Sequence, residues 1–205
     1  NEQDNPLVIK STKERSKPKF LTKIFLNKFT VKVFNTLWFY KSPRNEIGKH
    51  ESISTFFHPL DKIKDWNKIY GSKGFIQYQF FVPSDSKEKI KFVLDYLKQN
   101  DVPCFLTVLK KFGKRNSSYL SFPDEGWTLT TDIPNCIPRI DKILNILDKE
   151  IAKSGGKIYL TKDSIQSADI FKKTYRFFNY WKKIKKELDP ELKFISDISI
   201  RLEMF

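Results

Sequence analysis

Alternate residues of a β-strand share a face, so a strand-like segment shows which polar side chains stand together. In Phe75-Ile-Gln-Tyr-Gln-Phe-Phe-Val, Gln77 and Gln79 fall on one face. In Trp127-Thr-Leu-Thr-Thr-Asp-Ile, Thr128, Thr130 and Asp132 lie together, opposite Trp127, Leu129 and Ile133. A row of neutral amides and hydroxyls is what a ligand with several hydroxyls, such as a sugar, requires. The same pattern also suits the solvent side of an antiparallel sheet.

Two lysines break the alternation. In Lys157-Ile-Tyr-Leu-Thr-Lys162 the period-2 partners of Lys162 are Leu160 and Ile158, and those of Lys110 are Val108, Leu106 and Cys104. An ammonium drawn into apolar surroundings needs an anionic partner or a lowered pKa, and both outcomes serve catalysis. The alternative is that each lysine ends its strand and snorkels outward. Lys157, on the other face of its strand, is expected to matter little. His58, in Phe56-Phe-His-Pro-Leu-Asp, is the one histidine in an apolar setting and reads as a packing residue. Cys104 and Cys136 lack Cys-x-x-Cys spacing and read as free buried thiols.

The elements that must position these groups follow from local pattern. Phe75 to Val82 is rich in aromatic and β-branched residues and stops at Pro83, as a strand does. Ser84-Asp-Ser-Lys-Glu opens a helix to about Leu97, with Ile90, Val93, Leu94 and Leu97 at helical spacing. Strands follow at Val102 to Lys110 and Trp127 to Ile133. A helix at Ile140 to Ala152 carries Ile140, Ile143, Leu144 and Leu147 on one face and breaks at Gly155-Gly156. A short strand spans Lys157 to Lys162, after which Asp163 and Gln166 make a capping box for the next helix. The order strand, helix, strand, strand, helix, strand is α+β with antiparallel pairing.

Composition narrows the function classes. The 205 residues hold 38 Lys plus Arg against 24 Asp plus Glu, a formal charge of +14, so the partner or substrate is expected to be anionic. With two cysteines and two histidines, a zinc ribbon, zinc finger or iron–sulfur site built from this chain alone is excluded. Seven glycines and no Gly-x-Gly-x-x-Gly cannot form a dinucleotide cradle. No apolar run reaches the length of a membrane-spanning helix, and the chain opens on Asn without a secretory leader. It therefore reads as a fragment or processed product that resides in the cytoplasm or peripherally at a membrane. Segment 20–34 alternates apolar and basic residues. This suits either a solvated face beside a packed one or a basic, aromatic surface against anionic lipid. From Phe171 to Lys186 seven residues are basic and none acidic. Interleaved aromatics could stack nucleic-acid bases, but Phe171, Tyr175, Phe178 and Trp181 at helical spacing read better as a core stripe.

Several segments in order resemble the flavin-dependent sugar oxidases of the vanillyl-alcohol oxidase superfamily. They are Leu37-Trp-Phe-Tyr-Lys-Ser-Pro, Phe57-His-Pro-Leu-Asp, Gly74-Phe-Ile-Gln-Tyr-Gln-Phe, Lys111-Phe-Gly-Lys-Arg-Asn, Leu120-Ser-Phe-Pro, Gly126-Trp, Gly155-Gly-Lys-Ile-Tyr-Leu-Thr-Lys-Asp-Ser, and Asp189-Pro followed by Ser196-Asp. The resemblance implies a substrate-binding domain at residues 1–156 and, at 157–205, a C-terminal segment of an FAD-binding domain whose N-terminal portion is a missing partner. It implies oxidation of a secondary sugar hydroxyl, with a polyprenylphosphoryl pentose as substrate, as the oxidase half of a 2'-epimerisation. Carried over by position, Lys162 is the catalytic residue. Tyr159 and Lys162 contact FAD, and Phe57, His58, Gln77, Gln79, Lys110, Phe112, Thr128 and Thr130 surround the substrate. A short-chain reductase and an anionic membrane surface are implied partners, with no specific nucleic acid. Phe57, Thr128 and Thr130 depart from the Tyr, Asn and Cys of mycobacterial members. A sugar-lactone or alditol oxidase is the nearest alternative, followed by a basic nucleic-acid-binding or membrane-scaffolding module.

Overall fold

The computed structural model describes residues 28–50, 52–53, 70 and 72–205. The chain forms two compact units, Asn1–Gly74 and Phe75–Phe205. In the first, helix α1 (Lys28–Lys41) ends at Ser42, just before Pro43, with the Ser42 amide donating to the Trp38 carbonyl. Pro43 cannot donate to a continuing helix. The alternating segment 20–34 enters the described residues only at Lys28, where it is helical. Leu37, Trp38, Phe39 and Tyr40 are exposed.

The second unit is built on a four-stranded antiparallel sheet, as the α+β reading requires. Strand β1 (Phe75–Pro83) lies between β3 (Gly126–Pro134) and the two-residue β4 (Lys157–Ile158), with β2 (Thr107–Phe112) outside β3. The register sets Gln77 opposite Asp132, Gln79 opposite Thr130 and Phe81 opposite both Thr128 and Lys157. Lys110 faces Thr128 and Val108 faces Thr130. Opposed residues project to the same side, so the sheet has one apolar and one largely polar face.

Helices α2 (Glu88–Gln99) and α3 (Ile140–Lys153) cover the apolar face. Val93, Leu97, Leu144, Leu147 and Ile151 bury against Tyr78, Phe80, Val82, Leu129 and Ile133. Helix α3 ends because Gly155 takes φ +74, a left-handed conformation that costs glycine little, and the Gly156 amide returns to the Ile151 carbonyl at 2.9 Å. Gly156 also packs under β1, where a Cβ would lie 2.3 Å from the Phe81 carbonyl oxygen.

The C-terminal segment forms α4 (Ala168–Thr174), α5 (Phe178–Leu188) and α6 (Asp197–Arg201). Phe171, Tyr175 and Phe178 are buried with Leu202 and Met204, and Trp181 packs beside them, so the aromatic stripe is a core. It is not one continuous helix. The chain breaks at Tyr175–Phe177, and the Tyr175 hydroxyl donates to the Ile158 carbonyl at 2.7 Å. Among the described residues no helix is long and apolar enough to cross a membrane.

Three local expectations need correction. The strand expected from Val102 starts at Thr107, because Pro103 falls in the stretch before it. The cap of α4 is Ser167, whose hydroxyl accepts from Ile170, whereas the Asp163 carboxylate accepts from the Ile165 and Gln166 amides and stabilises a turn ahead of the helix. Cys104 is half-buried and Cys136 exposed, the latter in the turn after β3.

Candidate functional site

On the polar face Gln79 is 8% exposed, Thr128 1% and Asp132 1%, while Gln77 and Thr130 are half-buried. These burials exceed those of an ordinary solvated sheet face. The Thr128 hydroxyl donates to the Phe80 carbonyl at 2.8 Å and accepts from Gln79 Nε2 at 3.1 Å. Thr128 therefore fixes the Gln79 side-chain amide and leaves its Oε1 to face a ligand hydroxyl. Thr130 and Gln77 stand on either side of Gln79 on the same face.

Lys162 reaches this face by a route that strand alternation does not describe. The strand stops at Ile158, and Leu160–Lys162 is a 3-10 turn, so the period of two ends before the lysine. Burial lowers the pKa of Lys162; Asp132 opposes that shift and Lys110 adds to it, so the charged neighbours are the two groups on the polar face. Asp163, next in sequence, is not the counter-ion, being held by Arg201 at 2.7 Å. Lys110 is likewise on the polar face, opposite Thr128 and exposed, because β2 is an edge strand.

An aromatic group borders the site. Tyr159, whose amide donates to the Gln79 main-chain carbonyl at 2.9 Å, stacks on Phe122 with centroids 4.4 Å apart. Phe122 meets Phe112 edge-on at 5.8 Å. Gln77, Gln79, Lys110, Phe112, Thr128 and Thr130 share one sheet face, and Tyr159 and Lys162 follow directly after the short β4 at its edge. Phe57 and His58 lie outside the described residues.

The chain is similar, at 34% identity over 204 residues, to the decaprenylphosphoryl-beta-D-ribose oxidase of Mycolicibacterium smegmatis, a match that takes in 98% of this chain and 44% of that protein. It resembles part of such an oxidase. A Streptomyces coelicolor protein described only as an uncharacterized protein in the mprA 5' region is 24% identical over 161 residues, 78% of this chain and 43% of its own length. The chain spans less than half the length of the curated relatives it matches. No family model matches. The extent of the first match agrees with the chain corresponding to a C-terminal part of the oxidase.

Sequence reasoning missed two buried groups. Lys157, expected to matter little, is 8% exposed, donates to the Ser121 carbonyl at 3.0 Å, and has its pKa pulled down to about 8, chiefly by burial. The register puts it opposite Phe81, on the polar side of the sheet. Its position directly after Gly155-Gly156, which lets the backbone pass beneath β1, was the available signal. Asp148, 1% exposed on the core side of α3, accepts from the Tyr78 hydroxyl at 2.7 Å. It sits four residues after Leu144, on the apolar stripe, and that spacing could have revealed it.

Proposed function

We propose that this chain is the substrate-binding part of an FAD-dependent oxidoreductase acting on a secondary hydroxyl of a sugar, with a polyprenylphosphoryl pentose as the substrate class. The observation that carries the reading is the polar sheet face of Gln77, Gln79 and Thr130, with Asp132 and Lys110 acting on the charge of Lys162, in a chain similar along nearly its whole length to a decaprenylphosphoryl-ribose oxidase. On this reading residues 1–156 are the substrate domain, and 157–205 belong to an FAD-binding domain completed by a preceding portion. A short-chain reductase and an anionic membrane surface are its proposed partners.

The residues present suit a flavin ring, though not the rest of the cofactor. Lys162 offers a cation beside hydrogen-bonding side chains, and Tyr159 offers an aromatic edge to the site, while the Gly-rich cradle for a dinucleotide is lacking. FAD, when bound, supplies the hydride acceptor.

The chain's own part is orientation and electrostatics. Gln79, held by Thr128, and Gln77 hydrogen-bond the sugar hydroxyls and present the carbinol C–H. Lys162 holds the reacting hydroxyl and favours negative charge developing beside it. Burial lowers the pKa of Lys162 and Asp132 opposes that shift; on this reading the ammonium is the active form. The hydroxyl proton must also leave, and Lys162 in its deprotonated form is the alternative acceptor.

The test uses the full-length protein reconstituted with FAD. The preparation is expected to be yellow and to bleach anaerobically when a polyprenylphosphoryl pentose is added. A correctly folded preparation that takes up no flavin, or that holds flavin no sugar of this class reduces, overturns the reading.

A further inference from the structure

Apart from the site around Lys162, the second unit has a cleft of about 80 Å³ in which three cations meet. Lys157 enters from β4, Arg115 from the loop after β2, and Arg176 from the break between α4 and α5. One carboxylate accompanies them. Asp124 Oδ2 lies 3.8 Å from both Lys157 Nζ and Arg176 Nη2, beyond hydrogen-bond length in each case. Formal charge in the cleft is thus three positive against one negative.

Stacking accounts for where the two arginines rest, their guanidinium carbons lying 4.2 and 4.9 Å from the centroid of Phe177. Lys157 Nζ likewise lies over the Phe81 and Tyr175 rings, 5.3 and 5.9 Å from their centroids, contacts that bring no negative charge. That ammonium is largely removed from water, and it donates to a neutral carbonyl, that of Ser121, at 3.0 Å. Asp124 favours its charge, while Arg115 and Arg176 both oppose it. Three like charges around a concave site that holds one carboxylate leave a net positive charge, an arrangement in which a bound anion relieves both burial and repulsion.

We propose that this cleft binds a tetrahedral oxyanion of the phosphate class. Donors from three separate segments suit a tetrahedral group better than a planar carboxylate, and the two guanidinium forks at the mouth match phosphate oxygens. Phe81 and Tyr175 line the cleft with Lys157, lowering the local dielectric where the ammonium meets the anion. The inference does not rest on the redox reading. The phosphate has two possible sources, free inorganic phosphate or the phosphoryl group of a prenyl phosphate.

The test is calorimetric titration of the 205-residue chain with inorganic phosphate at constant ionic strength held by chloride. Saturable one-to-one binding is expected. The Arg115→Gln/Arg176→Gln double variant should weaken it at least about tenfold, the scale of losing charge-assisted hydrogen bonds. Arg176 is 67% exposed, so Arg176→Gln alone serves if the double variant misfolds, and it should still weaken binding measurably. In a second arm farnesyl phosphate competes with inorganic phosphate. Displacement assigns the cleft to phosphoesters and failure to displace assigns it to free phosphate, both of which support the oxyanion site. No saturable phosphate binding by the unaltered chain, or equal binding by folded arginine variants, overturns it.

Discussion

Replacing Asp148 with Asn should make the protein more stable at alkaline pH relative to acid pH. Asp148 is 1% exposed, and its carboxyl is pushed up from 3.8 to about 7. Burial is the main cause, with the Tyr78 hydrogen bond opposing it, Asp163 adding to it and Arg201 opposing it. Below pH 3.8 both the folded and unfolded chains are protonated here and the residue costs nothing. Between 3.8 and 7 the unfolded chain gives up a proton that the fold retains, so stability falls as pH rises, and above 7 the loss is complete. At about 1.4 kcal/mol per tenfold difference in proton affinity the full loss is roughly 4 kcal/mol, of which roughly 3 falls between pH 5 and pH 8. Asn keeps the acceptor for Tyr78 and cannot ionise. Whatever its amide costs the core is the same at every pH, so the informative quantity is the change in the difference between the two proteins. Urea denaturation followed by circular dichroism at pH 5, 6, 7 and 8 measures it. Asp148→Asn should gain roughly 3 kcal/mol on the parent across that range. Two parallel pH profiles would refute the reasoning and leave Asp148 a carboxylate that stays ionised in the core.

Lys162→Met in the FAD-loaded full-length protein should retain flavin yet slow its reduction about a hundredfold or more, the usual scale for one electrostatic or acid–base group; stopped-flow absorbance reads this directly. Thr128→Val removes the hydroxyl that holds Gln79, so KM for the sugar should rise about tenfold while flavin content is unchanged, as steady-state kinetics would report. Gly156→Ala drives a methyl into the Phe81 carbonyl and should cost about 2 kcal/mol, lowering Tm by roughly 4–8 °C in a thermal melt. Lys157, held near pH 8 in the fold, sheds its proton before the unfolded chain does, so its contribution to stability should increase from pH 8 to 9.5; Lys157→Met should abolish that rise in the same denaturation assay.

Strand alternation was a sound guide wherever a strand was long and paired along its length. Gln77 and Gln79 on β1, and Thr128, Thr130 and Asp132 on β3, share the face that period two assigns them, because the nine-residue strands are in register from end to end. The same rule does not extend to Lys162, since β4 lasts two residues before the chain tightens into a turn. Nothing local announces that turn; it forms where the chain leaves β1. Helical periodicity found Ile140, Ile143, Leu144 and Leu147 but passed over Asp148, a polar residue on an apolar stripe. The cleft of Lys157, Arg115 and Arg176 joins three segments spread over about 60 residues of the chain and had no sequence pattern of its own.

The central place of β1 has a consequence for how the chain is made. Phe75-Ile-Gln-Tyr-Gln-Phe-Phe-Val carries no charge, and both of its edges await partners that are synthesised later. Strand β3 begins about 40 residues after β1 ends, and β4 ends about 75 residues after it. At translation speeds of about 5–20 residues per second, β1 waits roughly 2–9 s for its first partner and roughly 4–15 s for its second. Uncharged aromatic segments of this kind are aggregation-prone while their edges are open. The nascent chain is therefore expected to engage a holding chaperone on the ribosome, and slower translation between Pro83 and Gly126 should lower the soluble yield without altering the folded protein.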